Sequence, residues 1–135
     1  MQLLDTNLLI RYLTNDDPAK ARAVFTLLQQ VQAGAEQLYT TEVVVAEATF
    51  VLSGKTYRLS SSDTATRLAA ILRLRGIRLP RKRTILRALA IYGQASGLDF
   101  SDALLVATAE ATGITTLLSY DTDFDGIPGI TRREP

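Results

Sequence analysis

Cysteine, histidine and tryptophan are all absent from the chain of 135 residues. Without a thiol or an imidazole there is no cysteine nucleophile, no Ser-His-Asp triad, no histidine acid/base pair, no haem held by histidine and no ordinary zinc site. Catalysis would fall to carboxylates, hydroxyls, Lys, Arg, Tyr or a metal held by oxygen, and oxygen-only ligation suits Mg²⁺ or Mn²⁺. No disulfide can form. No apolar run approaches the ~20 residues that a membrane span needs. Met1 to Ile10 lacks a basic stretch and carries Asp5, so it does not read as a signal peptide, and the cytoplasm is the expected location. Apolar residues make up 47% and charged residues 21%, the profile of a folded globular chain rather than a disordered one. The length predicts one domain over residues 1–135.

The net charge of +1 hides a segregation. From Lys55 to Arg87 there are ten basic residues and a single acid, Asp63. From Ala88 to Thr131 there is no basic residue, and Asp99, Asp102, Glu110, Asp121, Asp123 and Asp125 carry the only charges. A polyanion and a metal ion would each find a suitable region.

Apolar spacing and capping residues predict helices alternating with short strands. Gln2–Leu4 reads as a strand and Thr6–Leu13 as a helix. Asp17 and Pro18 mark the start of a second helix running to Gly34. Gln37–Thr40 is a weak strand. Glu42–Leu52 is helical, with Val43, Val44, Phe50 and Val51 expected on the buried face. Ser60 to Ser62 and Asp63 offer caps for a helix to Arg75. Ile77–Leu79 is a strand stopped by Pro80, and Lys82–Ala95 is a helix. Asp99 begins a helix that Gly113 ends. Thr115–Leu118 is expected to be a buried strand and Ile130–Arg132 an edge strand. The alternation predicts an α/β fold with a parallel sheet.

The acids carry the chemistry. Asp5 and Asp121 each follow a strand, where parallel α/β folds bind ligands. Asp5 could instead cap the next helix. Glu47 stands among apolar neighbours on its predicted helix, where an isolated carboxylate is costly, so it should be paired or bound to a cation. Asp102 lies in the first turn of its helix, with Leu105 and Val106 on the same side. Asp99 precedes it as a candidate cap, and Asp123 and Asp125 follow Asp121 in what could also be a polar turn. If these ends meet, at least three of Asp5, Glu47, Asp102 and Asp121 should converge closely enough to share one ion. Like charges so crowded need a metal or raised pKa values.

The segments Leu3-Leu4-Asp5-Thr6-Asn7, Val44-Val45-Ala46-Glu47, Phe100-Ser101-Asp102-Ala103-Leu104-Leu105 and Leu118-Ser119-Tyr120-Asp121-Thr122-Asp123-Phe124 together give the chain a resemblance to PIN-domain proteins. It is similar in particular to the VapC-type toxins of toxin–antitoxin pairs. The resemblance implies a three-layer sandwich with a central parallel sheet of four to five strands, and a Mg²⁺- or Mn²⁺-dependent ribonuclease. It also implies a homodimer and a cognate antitoxin. It maps the catalytic and metal-binding acids onto Asp5, Glu47, Asp102 and Asp121, with Asp123 as a further metal ligand and Asp99 in support. Asn7 and Ser119 are polar neighbours expected to orient Asp5. Hydrolysis by activated water would leave a 5′-phosphate and a 3′-hydroxyl, with no covalent nucleophile.

The triplet Arg81-Lys82-Arg83 opens a predicted helix, where positive charge opposes the helix dipole, and is the candidate RNA contact. The alternative is a solvated helix start. Among rival functions, a haloacid-dehalogenase-type phosphatase would want an acid where Asn7 stands. A receiver domain would want adjacent acids after its first strand and a late lysine, and the last lysine here is Lys82. A non-catalytic RNA- or protein-binding domain on the same fold is the remaining alternative.

Overall fold

The structure, a computed structural model, describes residues 1–94 and 97–135. Strand β1 (Gln2–Leu3) leads into helices α1 (Thr6–Thr14) and α2 (Pro18–Gln32), which return the chain to β2 (Leu38–Tyr39). Helices α3 (Glu42–Ser53) and α4 (Ser61–Leu72) then lead to β3 (Ile77–Arg78). Helices α5 (Lys82–Gly93) and α6 (Phe100–Thr112) precede β4 (Thr116–Leu118), a short 3-10 turn and β5 (Thr131–Arg133). The predicted end of α5 at Ala95 lies outside the described residues. No helix among the described residues is long and apolar enough to cross a membrane.

The class is α/β with parallel strands, as expected, but the strands form two sheets rather than one. One has three strands in the order β1-β2-β3, with Gln2 opposite Leu38 and Leu38 opposite Ile77. The other pairs β4 with β5, Thr116 opposite Thr131. This corrects the expectation that residues 115–118 form a buried strand: Leu118 is 65% exposed, because β4 packs chiefly on β5. The main core lies between the three-stranded sheet and the helices, built on Leu4, Leu9, Leu38, Val45, Leu52, Leu68, Leu72, Ile77, Ile85 and Leu89.

Local chemistry explains most boundaries. Asp17 Oδ1 accepts from the Lys20 amide at 3.2 Å, with Pro18 at the first helical position. Gly113 takes the left-handed conformation (φ 75°) that closes α6. α4 stops at Leu72 rather than at the predicted Arg75, and the chain turns there into β3. Gly76 serves close approach rather than helix termination: a Cβ there would lie 2.7 Å from Val31 Cγ1.

Candidate active site

Each acid is placed by its own local device. The Leu4 amide bonds the Tyr39 carbonyl, and the Leu4 carbonyl accepts from the buried Thr40 hydroxyl at 3.2 Å. The backbone is therefore pinned up to the residue before Asp5. Asp5 holds the N-cap position of α1, yet its carboxylate caps no amide. It accepts instead from Asn7 Nδ2 at 3.3 Å. Thr6, buried directly afterwards, donates its hydroxyl to Glu47 Oε2 at 3.1 Å. This link between α1 and α3 was not anticipated from sequence; the hydroxyl adjoining Asp5 was its only signal.

Glu47 itself departs from expectation. It is exposed, and so are Val43 and Phe50, at 69% and 79%. α3 buries Val45, Ala48, Thr49 and Leu52 instead. Its apolar residues run nearly all round the helix, so their spacing did not single out one face. Glu47 is thus a solvated carboxylate steered by Thr6, not a buried charge in need of a partner.

At the start of α6, Asp99 Oδ1 accepts from the Asp102 amide at 2.8 Å and caps the helix. Asp102 is half-buried. Burial pushes its carboxyl above the ordinary range, and the nearby charges of Asp99, Asp121 and Asp123 push the same way. Asp121 Oδ1 accepts from the Asp123 amide at 2.9 Å. The Asp121 amide donates to Ser119 Oγ at 2.9 Å. Ser119 therefore shapes the Asp121 turn, and no bond joins it to Asp5 among the described residues. Arg132 closes the back of this turn. It donates to the Ser119 carbonyl at 2.9 Å and to Asp125 at 2.7 Å, and holds the Asp125 carboxyl below its usual range. Asp125 is consequently spent on an ion pair.

The acids thus fall into two neighbourhoods. Asp99, Asp102, Asp121 and Asp123 share one field, while Asp5 and Glu47 flank Thr6. Among the described residues no group of three or more acids stands close enough to hold one ion, so the expected convergence is not met in this arrangement. β1 and β4, which lead to Asp5 and Asp121, are not neighbours in one ladder. The donor chemistry nonetheless fits a hard divalent cation, being all oxygen and crowded with uncompensated negative charge at Asp102.

The basic triplet is divided in its duties. Arg81 forms an ion pair with Glu42 at the start of α3. Lys82 Nζ donates to the carbonyls of Leu74 at 3.3 Å and Ile77 at 2.6 Å, tying the turn before β3, and burial lowers its pKa. Arg83 is exposed beside Arg87, whose guanidinium is paired with Glu110. A groove of about 450 Å³ between α1 and α2 opens at Asn7 and is lined by Arg11 and Lys20 as well as apolar side chains.

No curated protein matches the chain significantly. The family model of the PIN domain matches residues 3–130. With a match over nearly the whole chain, parallel α/β strands, and acids set beyond the strand ends, the chain belongs to the PIN domain family.

Proposed function

We propose that the protein is a divalent-metal-dependent ribonuclease that hydrolyses RNA phosphodiester bonds, and that it acts as the toxin of a VapBC-type pair. A PIN domain is a nuclease-type domain, which supports hydrolase chemistry in general. The observation that carries the reading is the setting of Asp102, half-buried at the start of α6 and facing Asp99, Asp121 and Asp123, so that burial first and these charges second raise its pKa, with no cationic side chain among the causes. Such repulsion is sustained where a cation belongs.

In this reading Asp5, Glu47, Asp102 and Asp121 would hold Mg²⁺ or Mn²⁺, with Asp123 beside them. Held there, such an ion would supply Lewis acidity for water activation and for charge on the phosphoryl group. Asn7 aims the Asp5 carboxylate, Thr6 aims Glu47, Asp99 fixes the first turn of α6 beneath Asp102, and Ser119 fixes the turn of Asp121. Arg83 is the member of the basic triplet best placed to meet phosphate, since Arg81 and Lys82 already have protein partners. The homodimer and the antitoxin follow the same motif resemblance; light scattering tests the first, and a co-purifying partner that silences cleavage tests the second.

A non-catalytic RNA- or protein-binding domain is the second reading, favoured by the open spacing of the acids. One experiment separates the two. The purified protein is incubated with an RNA panel in Mg²⁺, Mn²⁺ or EDTA, and the product ends are mapped. Metal-dependent cleavage leaving 5′-phosphates, lost in a folded Asp102→Asn variant, is expected. RNA that is bound and never cut under any metal supports the second reading.

A further inference from the structure

Phe50 is the most exposed aromatic side chain among the described residues, at 79%. It projects from α3 one turn beyond Glu47 and borders a small cleft of about 90 Å³. The cleft is also lined by Tyr92, Asp99, Phe100 and Ser101, the last three lying at the start of the helix that carries Asp102. An apolar ring held in water thus lies on the helix that carries Glu47 and borders the start of the helix that carries Asp102. We propose that Phe50 is a stacking platform for a nucleobase next to the scissile phosphate, and so a specificity-determining residue. The proposal rests on the ribonuclease reading above and deepens it.

Charge decides which part of an RNA strand suits this place. Among the described residues no lysine or arginine lines the cleft, and Asp99 presents negative charge there. A phosphate is repelled by such a surface. A base is not: its face is apolar enough to lie on the phenyl ring, and its N–H edge can donate to Asp99 or Ser101. Asp99 Oδ1 is already engaged by the Asp102 amide, and the Asp99 carboxylate also meets the Asp102 carboxyl, so the Ser101 hydroxyl is the more available partner for the base edge. The cleft is small, so the base lies across its mouth on Phe50 rather than inside. Stacking of this kind tolerates any base, while the N–H edge sets preference.

The test uses single-stranded RNA carrying 2-aminopurine at successive positions. Binding is followed by fluorescence quenching in EDTA, and cleavage of the same oligomers in Mn²⁺. The variants are Phe50→Leu, which keeps an apolar side chain, and Phe50→Trp, which keeps a stacking face. With the wild type, one position near the cleavage site should be quenched most. Phe50→Leu should lose that quenching and bind on the order of 5- to 100-fold more weakly. Its salt dependence should stay intact, since no phosphate contact is removed. KM should rise by more than kcat falls, and Phe50→Trp should restore both quenching and affinity. Phe50→Leu matching the wild type in quenching and KM overturns the stacking role while the ribonuclease stands. Weakening that tracks the loss of a dimer in sedimentation also overturns it, by assigning the ring to an interface between copies. A wild type that binds no RNA overturns both readings together.

Discussion

Thr6→Val isolates the hydroxyl that steers Glu47. Thr6 is 3% exposed, so valine keeps its shape and packing. Only the 3.1 Å bond to Glu47 Oε2 is lost. Glu47 is exposed, and its carboxylate exchanges that bond for water, so no buried acceptor is orphaned. The stability cost should stay at about 1 kcal/mol or less, the net worth of an ordinary hydrogen bond. In a domain of 135 residues that lowers Tm by roughly 3–5 °C. The functional effect should be larger, because Glu47 is then no longer held in one orientation. Partners of this kind are typically worth about 10- to 100-fold in metal affinity or activity. The assay is a Mn²⁺ titration followed by calorimetry, with cleavage rates measured across the same range. Thr6→Ser should behave as the wild type. On a Glu47→Gln background, Thr6→Val should add little, because the coupled pair is already broken. An unchanged Mn²⁺ midpoint in Thr6→Val, with Tm within the stated range, refutes the steering role. A loss well beyond 3 kcal/mol would instead make Thr6 a packing residue.

The raised carboxyl of Asp102 means that the folded protein holds this proton more tightly than the unfolded chain, whose ordinary value is 3.8. Its ionisation therefore costs stability, increasingly so as pH rises from 3.8 through the folded value. Asp102→Asn should raise the Tm of the metal-free protein at pH 7, and the gain should vanish below about pH 3.8; a gain independent of pH contradicts this. Lys82→Met should cost about 1–2 kcal/mol in urea unfolding, because the Ile77 carbonyl loses its side-chain donor while the Leu74 carbonyl keeps only the Ile77 amide. Arg83→Gln should leave Tm in place and reduce the salt slope of RNA binding by about one; an intact slope places the RNA path elsewhere. Thr64 is fully buried and its hydroxyl has no hydrogen-bond partner among the described residues, so Thr64→Val should raise stability by roughly 0.5–1 kcal/mol in the same unfolding assay.

The helices were legible where a cap or a breaker marked them. Asp17 with Pro18, Asp99 and Gly113 act locally, and each does in the structure what its residue type favours. The strands were harder. Each holds only two or three residues, too few to display a period, and nothing local says which strand lies beside which. The single sheet expected from alternation became a three-stranded and a two-stranded sheet for that reason. Leu118 reads as core by its type, but burial depends on the element that covers it, and β4 has chiefly β5 for company.

The candidate site divides along the same line. Asn7 beside Asp5, and Asp99 as the cap beneath Asp102, are contacts between close neighbours in the chain and could be read from spacing. Glu47 could not. Val43, Val44, Val45, Ala46, Ala48 and Phe50 give α3 apolar residues on every side, so the face that includes Val43 and Phe50 looked as buriable as the one carrying Val45, Ala48 and Leu52. The structure buries the latter, so Glu47 is held by the hydroxyl of Thr6, far away in sequence, rather than forced to find a partner by desolvation. The basic triplet carries a related lesson. Charge density marks where cations are, not what they already hold. Arg81 is committed to Glu42 and Lys82 to two carbonyls, so a stretch that looks like a phosphate-binding run offers one well-placed guanidinium, Arg83. Any electrostatic pull on RNA from this side must therefore be weaker than the count of positive residues implies, and it must combine with contacts from other elements to hold a strand across the acids.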